Sequence, residues 1–246
     1  MISIKKNIPN AITLLNLFSG CLAVYFACTN QITLASLFAI LGIFFDFFDG
    51  FFARLFNANS ELGLQLDSLA DMVTSGMVPG IIMFQLLKQS NLIADEFSSY
   101  ITTTSNPLLW LSFLGFAITL ASCYRLANFN IDTRQTSSFI GLPTPANTLF
   151  IISVGLIQIY QPESLVSGLL LNTWVLLAIT ALSCYLLNAE IPLFALKFKD
   201  WSIKNNWVRY LLIVSSIILI LLFTYVGILA TILLYVLLSL VIKRES

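Results

Sequence analysis

Histidine is absent from all 246 residues, and this absence excludes two kinds of site. A histidine general base is impossible, and so is a metal centre with imidazole ligands. A side chain that accepts a proton in catalysis must therefore be a carboxylate or, as a lesser candidate, a lysine. The 12 basic and 12 acidic residues give a net charge of zero, so nothing indicates a nucleic-acid partner.

Charged residues are also scarce, and the residues that replace them indicate a membrane protein. Only 10% of residues are charged, 58% are hydrophobic and the mean hydropathy is +0.91, unlike a soluble domain. Apolar runs recur at about the 20 residues that a helix needs to cross a bilayer. They predict an all-α integral membrane protein with eight transmembrane helices, at residues 9–28, 32–57, 63–88, 108–128, 145–160, 167–188, 208–224 and 226–243. We expect residues 1–246 to form one membrane-embedded helical domain, in which residues 208–243 form a tight C-terminal hairpin.

Cysteine is sparse, and its spacing does not indicate a metal site. Cys21, Cys28, Cys123 and Cys184 lie in separate apolar segments. We interpret them as small buried hydrophobic side chains. No convincing small-residue cleavage site follows the first apolar stretch, so we expect the first helix to be retained.

The basic residues are distributed unevenly between the two sides of the predicted bundle. If the N-terminus is cytoplasmic, eleven of the twelve Lys and Arg residues fall on the cytoplasmic side, and only Lys88 falls outside. This is the asymmetry of the positive-inside rule. It predicts that both termini lie in the cytoplasm and that the protein crosses the inner (cytoplasmic) membrane several times.

Four aspartates lie within this apolar sequence, at Asp46, Asp49, Asp67 and Asp71. Insertion scales assign a cost of roughly 2.5–3.5 kcal/mol to one such charge at the bilayer centre, so four together require an explanation. The first two share a helical stripe with Gly50, Ala53 and Arg54, and the last two share a stripe with Gly63. A short loop joins the two helices, so the stripes can face each other.

Four converging carboxylates favour a cation among them, since they cannot all be ionised and dry otherwise. Ligation by oxygen alone favours Mg²⁺ or Mn²⁺ over zinc. The small residues leave a groove beside the acids, and Arg54 supplies a positive charge for a phosphate. The sequence therefore predicts a metal-dependent site for a lipid-linked diphosphate at the cytoplasmic face. The alternative interpretations are interhelical salt bridges, for which Arg54 is the only nearby cation, and simple close packing of the small residues.

The chain resembles the CDP-alcohol phosphatidyltransferase family, whose signature it matches without departure at Asp46, Asp49, Gly50, Ala53, Arg54, Gly63, Asp67 and Asp71. The resemblance implies a six-helix core, commonly homodimeric, with a two-metal site open to the cytoplasm. It implies that Asp46, Asp49 and Asp67 ligate metal, and that Asp71, also close to the metal, is the base that deprotonates the acceptor hydroxyl. The residues implied to bind CDP-diacylglycerol are Asp49, Gly50, Ala53, Arg54 and Gly63.

A second resemblance concerns the acceptor. Residues 8–20, 125–130 and 139–147 are similar to the phosphatidylserine synthases of this family, although Asn128 stands where most relatives have arginine. This implies transfer of the phosphatidyl group from CDP-diacylglycerol to L-serine, giving phosphatidylserine and CMP. We expect the loop of residues 125–147 to bind the acceptor through Arg125, Asn128, Asn130 and Arg134. Alternatively, its prolines only start the next helix, and its arginines only obey the positive-inside rule.

Two further functions stay open from the sequence. With glycerol 3-phosphate as acceptor, the enzyme would be a phosphatidylglycerophosphate synthase. That dianion would favour a larger cluster of basic residues than this segment offers, so serine fits better. A cation-coupled transporter could also place carboxylates within the membrane, but the C-terminal half has no second acid cluster to match an internal repeat.

Overall fold

The computed structural model describes residues 2–93, 108–132, 138–194 and 202–243, and these residues are almost entirely helical. The α-helices are α1 (Ile2–Cys28), α2 (Ile32–Leu55), α3 (Glu61–Asp71), α4 (Val78–Lys88), α5 (Leu109–Ser112), α6 (Ala117–Ile131), α7 (Thr144–Tyr160), α8 (Leu165–Leu170), α9 (Thr173–Asn188), α10 (Ile203–Phe223) and α11 (Tyr225–Lys243). A π-helical turn (Met72–Met77) joins α3 to α4, and a 3₁₀ turn (Phe113–Phe116) joins α5 to α6. Two short strands are β1 (Ser138–Ile140) and β2 (Pro192–Phe194).

Each of the eight predicted helices has a helical counterpart, and the prediction of an all-α membrane protein is confirmed apart from the two short strands. In the described ranges, five segments have the length and apolarity to cross a membrane: Asn7–Cys28, Ile32–Leu55, Glu61–Lys88, Leu109–Ile131 and Asn206–Phe223. Three shorter apolar helices are Thr144–Tyr160, Thr173–Asn188 and Tyr225–Val241. The predicted helix at 167–188 is divided into α8 and α9 at Leu171 and Asn172. The orientation of the termini stays a prediction.

The core of the bundle is built around α4 and α7. Nine of the eleven residues of α4 are buried, and so are eleven of the seventeen residues of α7. Their large apolar side chains, among them Ile82, Met83 and Ile151, have no exposed surface. Burying such side chains contributes about 1.5–3 kcal/mol each, so these two helices anchor the rest of the bundle.

The outer helices expose large apolar side chains, as expected of surfaces that face lipid. Phe18, Phe47 and Leu221 are 60%, 65% and 76% exposed. The prediction that the four cysteines are buried was wrong, since Cys21, Cys28 and Cys123 are exposed and Cys184 is partly exposed. Lipid is as apolar as a protein core, so an apolar residue on a membrane helix does not have to face inward.

The π-helical turn between α3 and α4 is held by two threonines from other helices. Thr119 Oγ1 of α6 donates to the backbone oxygen of Gly76 at 3.1 Å. Thr148 Oγ1 of α7 donates to the backbone oxygen of Ser75 at 3.0 Å. A π turn widens the helix and disturbs its regular backbone bonding, and side-chain donors can then satisfy its carbonyl groups.

The two strands form a small antiparallel sheet that the sequence analysis did not predict. Ile140 of β1 pairs with Pro192 of β2, and the Leu142 amide extends the contact by donating to the Leu186 oxygen at 2.8 Å. Tyr235 of α11 donates its hydroxyl to the Phe194 oxygen at 3.0 Å. The sheet therefore joins the connection before α7 to the segment after α9 and to α11.

The four aspartates lie at one end of the bundle. There the second half of α3 meets the end of α6, where Asn130 Nδ2 donates to the Ser68 hydroxyl at 2.9 Å. At the other end Gln85 of α4 donates to the Ala27 oxygen of α1 at 3.1 Å. Lys88 ends α4 and so lies at the end away from the aspartates, which agrees with the predicted charge asymmetry.

Candidate active site

Asp46, Asp49 and Asp67 form a compact carboxylate group where α2 meets α3. One oxygen from each of the three lies within 4.8 Å of the others. Asp49 is 6% exposed, and the other two are half-buried. The local structure that presents Asp67 begins at Ser60, whose hydroxyl caps α3 by accepting from the Gly63 amide at 3.0 Å.

Within the described part of the chain, two carboxylate oxygens of this group are buried and have no hydrogen-bond partner, Asp49 Oδ2 and Asp67 Oδ1. A buried charged oxygen without a partner is strongly disfavoured, so the arrangement calls for a positive ligand. Three carboxylates supply only hard oxygen donors, the set that suits Mg²⁺ or Mn²⁺. These residues therefore fit a divalent metal ion.

Asp71 has a different environment from the other three aspartates. It lies one helical turn after Asp67, and its Oδ1 accepts a hydrogen bond from Asn16 Nδ2 of α1 at 3.2 Å. Asn16 has no exposed surface, and its Oδ1 accepts from Thr74 Oγ1 at 2.7 Å. The compact group of three does not include Asp71, although Asp71 lies within electrostatic range of it.

A cavity of about 580 Å³ opens beside the compact group. Its lining includes all five residues that were predicted to bind CDP-diacylglycerol: Asp49, Gly50, Ala53, Arg54 and Gly63. Asp67 also lines it, so a ligand in the cavity would reach the carboxylates directly. The helix surface at Gly50 is open, because an added Cβ would meet only Arg54 Nη1, at 3.8 Å.

Residues of α1 and of the α2–α3 connection complete this cavity. Pro9, Asn10 and Thr13 line it from α1, and Asn59 and Ser60 line it from the connection. The sequence analysis gave none of these residues a role. Contacts between distant segments leave no local pattern in a sequence. The signal that was present is the similarity of the stretch containing Pro9 and Asn10 to the phosphatidylserine synthases.

A second cavity, of about 350 Å³, lies at the end of α6. Of the four residues predicted to bind the acceptor, Arg125 and Asn128 line it. Asn130 instead pairs with Ser68 on α3. Arg134 lies outside the described residues. Arg125 is 7% exposed, and its guanidinium lies within electrostatic range of Asp71.

Several other buried polar groups close to α3 and α6 lack a hydrogen-bond partner. Ser75 follows Asp71 by one turn, and Ser122 precedes Arg125 by about one turn. Asn147 of α7 has no exposed surface, and neither end of its amide has a partner. The sequence analysis did not single out these residues, because isolated polar residues in an apolar helix most often bond within that helix.

Comparison with known proteins gives a consistent set of relatives. A family profile described as CDP-alcohol phosphatidyltransferase matches residues 6–186. The CDP-diacylglycerol–serine O-phosphatidyltransferase of Bacillus subtilis is 36% identical over 142 residues, which cover 56% of this chain and 69% of the relative. The proteins of the same name from Helicobacter pylori and Mycobacterium tuberculosis are each 28% identical. The match to the Helicobacter pylori protein covers 80% of this chain and 75% of that relative. The match to the Mycobacterium tuberculosis protein covers 85% of this chain and 68% of that relative.

Proposed function

This chain belongs to the CDP-alcohol phosphatidyltransferase family, and we propose that it transfers the phosphatidyl group of CDP-diacylglycerol to the hydroxyl of L-serine. The products are phosphatidylserine and CMP. The observation that carries this proposal is the carboxylate group of Asp46, Asp49 and Asp67 beside a cavity lined by the signature residues Gly50, Ala53, Arg54 and Gly63. The relatives named above support serine as the acceptor, because their printed name specifies it.

The donor occupies the larger cavity in this proposal. Arg54 offers a fixed positive charge to the diphosphate, and Gly50 and Ala53 leave space for the nucleotide against α2. Asp49 and Asp67 line the same cavity, so the diphosphate and the carboxylates meet at its wall. The lipid tails then extend along the apolar surface of the bundle.

Asp46, Asp49 and Asp67 would hold the divalent metal, and we infer two ions, with Asp71 close to them. A bound ion would neutralise diphosphate charge and polarise the phosphorus. Mg²⁺ and Mn²⁺ both suit the oxygen donors.

Asp71 is the proposed base. It accepts the proton of the serine hydroxyl as the serine oxygen forms a bond to the β-phosphorus, the phosphorus that carries the diacylglycerol. The bond from that phosphorus to the CMP oxygen breaks, and CMP leaves. Asn16 orients the Asp71 carboxylate by its hydrogen bond from α1. Because no histidine exists in the chain, a carboxylate is the natural candidate for this step.

On the acceptor side we propose Arg125 and Asn128, which line the smaller cavity, together with Asn130 and Arg134. Asn130 would act indirectly, since its amide binds Ser68 on the helix that carries Asp67 and Asp71. Glycerol 3-phosphate stays the alternative acceptor. Family membership favours an enzyme over the cation-coupled transporter considered above.

We propose that the protein lies in the cytoplasmic membrane with its active site facing the cytoplasm. Arg54 and Arg125 lie at the aspartate end of the bundle and Lys88 at the other, which supports this orientation. A homodimer is expected from the family, and cross-linking of the protein in native membranes would test it. Labelling an introduced cysteine at Asn57 or Gln89 from either side would test the orientation.

The decisive experiment measures CMP release by the purified protein from CDP-diacylglycerol with divalent metal, adding serine or glycerol 3-phosphate in turn. Release that depends on serine supports both the reaction and the acceptor. Release only with glycerol 3-phosphate would support the phosphatidyl transfer reaction and contradict serine as the acceptor. The absence of release with either compound would contradict the proposed activity.

A further inference from the structure

We propose that the smaller cavity recognises the acceptor as a zwitterion, with Asp132 and Glu190 selecting its ammonium group. Arg125 binds the carboxylate group of the acceptor. This inference rests on the proposed function and deepens it, since it names the groups that determine acceptor specificity. It also gives a role to Glu190, which lies in the connection between α9 and β2 and which the sequence analysis did not consider.

The two cavities are separate, since no residue in the described part of the chain lines both of them. Asp67 lines the larger cavity, Asp71 follows it by one helical turn, and Asp71 lies within electrostatic range of Arg125 in the smaller cavity. Asp71 lines neither cavity, but it lies within electrostatic range of Asp67 at the wall of the larger cavity and of Arg125 at the wall of the smaller one.

Arg125 is the group that calls for an anionic ligand in the smaller cavity. Its side chain is 7% exposed, and its Nε is buried without a hydrogen-bond partner among the residues that the structure describes. A buried guanidinium with an unsatisfied donor is costly, and a carboxylate matches its planar geometry. The carboxylate of an amino acid would supply that partner and place the rest of the molecule in the cavity.

The acidic residues that line the cavity determine which second charged group the ligand must have. Asp132 follows the end of α6, and Glu190 follows the end of α9, so the cavity receives a carboxylate from each helix end. Glu190 lies two residues before β2, and the pairing of β2 with β1 holds this segment beside the connection to α7. Two carboxylates attract an ammonium group and repel the phosphate of glycerol 3-phosphate, which favours an amino-acid acceptor.

The remaining lining residues suit a small polar ligand. Asn128 adds an amide group that can donate or accept hydrogen bonds. Asn188 adds an amide oxygen as an acceptor, since its Nδ2 already donates to the Ala121 and Cys184 oxygens. Ile140 and Leu187 supply a short apolar wall. At about 350 Å³ the cavity is much smaller than the one assigned to the nucleotide. The cavity therefore offers one buried cation for the carboxylate of serine and two acids for its ammonium group.

The test compares Glu190→Gln and Asp132→Asn with the wild type in the CMP-release assay. We expect the KM for serine to rise roughly tenfold to a hundredfold, because each variant removes a charged hydrogen-bond acceptor. The KM for CDP-diacylglycerol should stay within about twofold of the wild type. Glu163→Gln is the matched control, since Glu163 is also an exposed glutamate but lies beyond α7 and lines neither cavity.

A second measurement separates recognition from general damage. Glycerate has the hydroxyl and carboxylate of serine but lacks the ammonium group. The preference of the enzyme for serine over glycerate should fall in Glu190→Gln and stay unchanged in Glu163→Gln. An unchanged serine KM and an unchanged preference would overturn this inference alone, provided that the wild type uses serine. A wild type that releases no CMP with serine would instead contradict the proposed function.

Discussion

Asn16 of α1 donates a hydrogen bond from its Nδ2 to Asp71 Oδ1, at 3.2 Å, across 55 residues of sequence. The other end of the same amide accepts from Thr74 Oγ1 at 2.7 Å, so the Asn16 side chain is held at both ends. Asn16 is fully buried, which keeps water from competing for these bonds. The first helix therefore fixes the orientation of the proposed base, although it contributes none of the four aspartates.

Replacing Asn16 should lower turnover without weakening substrate binding. In Asn16→Ala we expect kcat to fall by roughly tenfold or more, because a hydrogen bond to a charged group contributes about 1.5–3 kcal/mol. The KM values for both substrates should change little, as expected of a positioning residue. The control is Ser36→Ala, since the buried Ser36 hydroxyl bonds only within α2, to the Ile32 oxygen at 2.7 Å. Equal effects of the two variants on kcat would contradict the positioning role.

The base assignment predicts a clean separation of binding from chemistry. Asp71→Asn keeps the size of the side chain but cannot accept the proton of the serine hydroxyl. CMP release should fall by about 10²–10⁴-fold, while calorimetric binding of CDP-diacylglycerol stays near the wild-type affinity. Turnover close to the wild-type rate in this variant would show that another group takes the proton.

The carboxylate group predicts an absolute requirement for a divalent ion. Chelation with EDTA should abolish CMP release, and added Mg²⁺ or Mn²⁺ should restore it. In Asp49→Asn the concentration of metal needed for half-maximal activity should rise by tenfold or more, because the buried Asp49 Oδ2 loses its charge. Glu163→Gln should leave that concentration unchanged. Full activity after exhaustive chelation would exclude the metal-dependent reaction.

Close packing at Gly42 predicts a stability effect that reaches the active site. A Cβ at Gly42 would lie 2.6 Å from Thr74 Cγ2 and 2.9 Å from Asn16 Oδ1. Gly42→Ala should therefore destabilise the protein by about 1–3 kcal/mol, measured as a lower Tm in detergent, and should reduce kcat. Gly168→Ala is the control, because no atom lies within 4 Å of its added Cβ. A Tm for Gly42→Ala at or above that of the control would contradict this packing argument.

The helices were predictable because each depends on the hydropathy of its own segment. A membrane helix needs about 20 apolar residues in sequence, and that requirement is local. The same is true of the helical stripes of Asp46 with Asp49 and of Asp67 with Asp71, whose spacing alone places each pair on one face. Because the α2–α3 connection is short, the sequence also predicted that the two stripes face each other.

What could not be predicted depends on contacts between distant segments. Asn16 and Asp71 are far apart in sequence, and so are β1 and β2, whose pairing leaves no alternating pattern in three residues. The π turn is also invisible to hydropathy, because it changes backbone bonding and not composition. Asn130 was predicted to bind the acceptor, and in the structure its amide also binds Ser68. The sequence does not reveal this contact, because it depends on the approach of α6 to α3.

The π turn has a mechanical consequence for the enzyme. Thr119 and Thr148 bind it to two other helices, so the Asp71 end of α3 is anchored to α6 and α7. The α2–α3 connection at the opposite end of α3 includes exposed residues, such as Asn57 and Asn59, and lines the mouth of the larger cavity. The larger cavity is thus bordered on one side by a helix that carries acids and is anchored at its inner end, and on the other by an exposed connection.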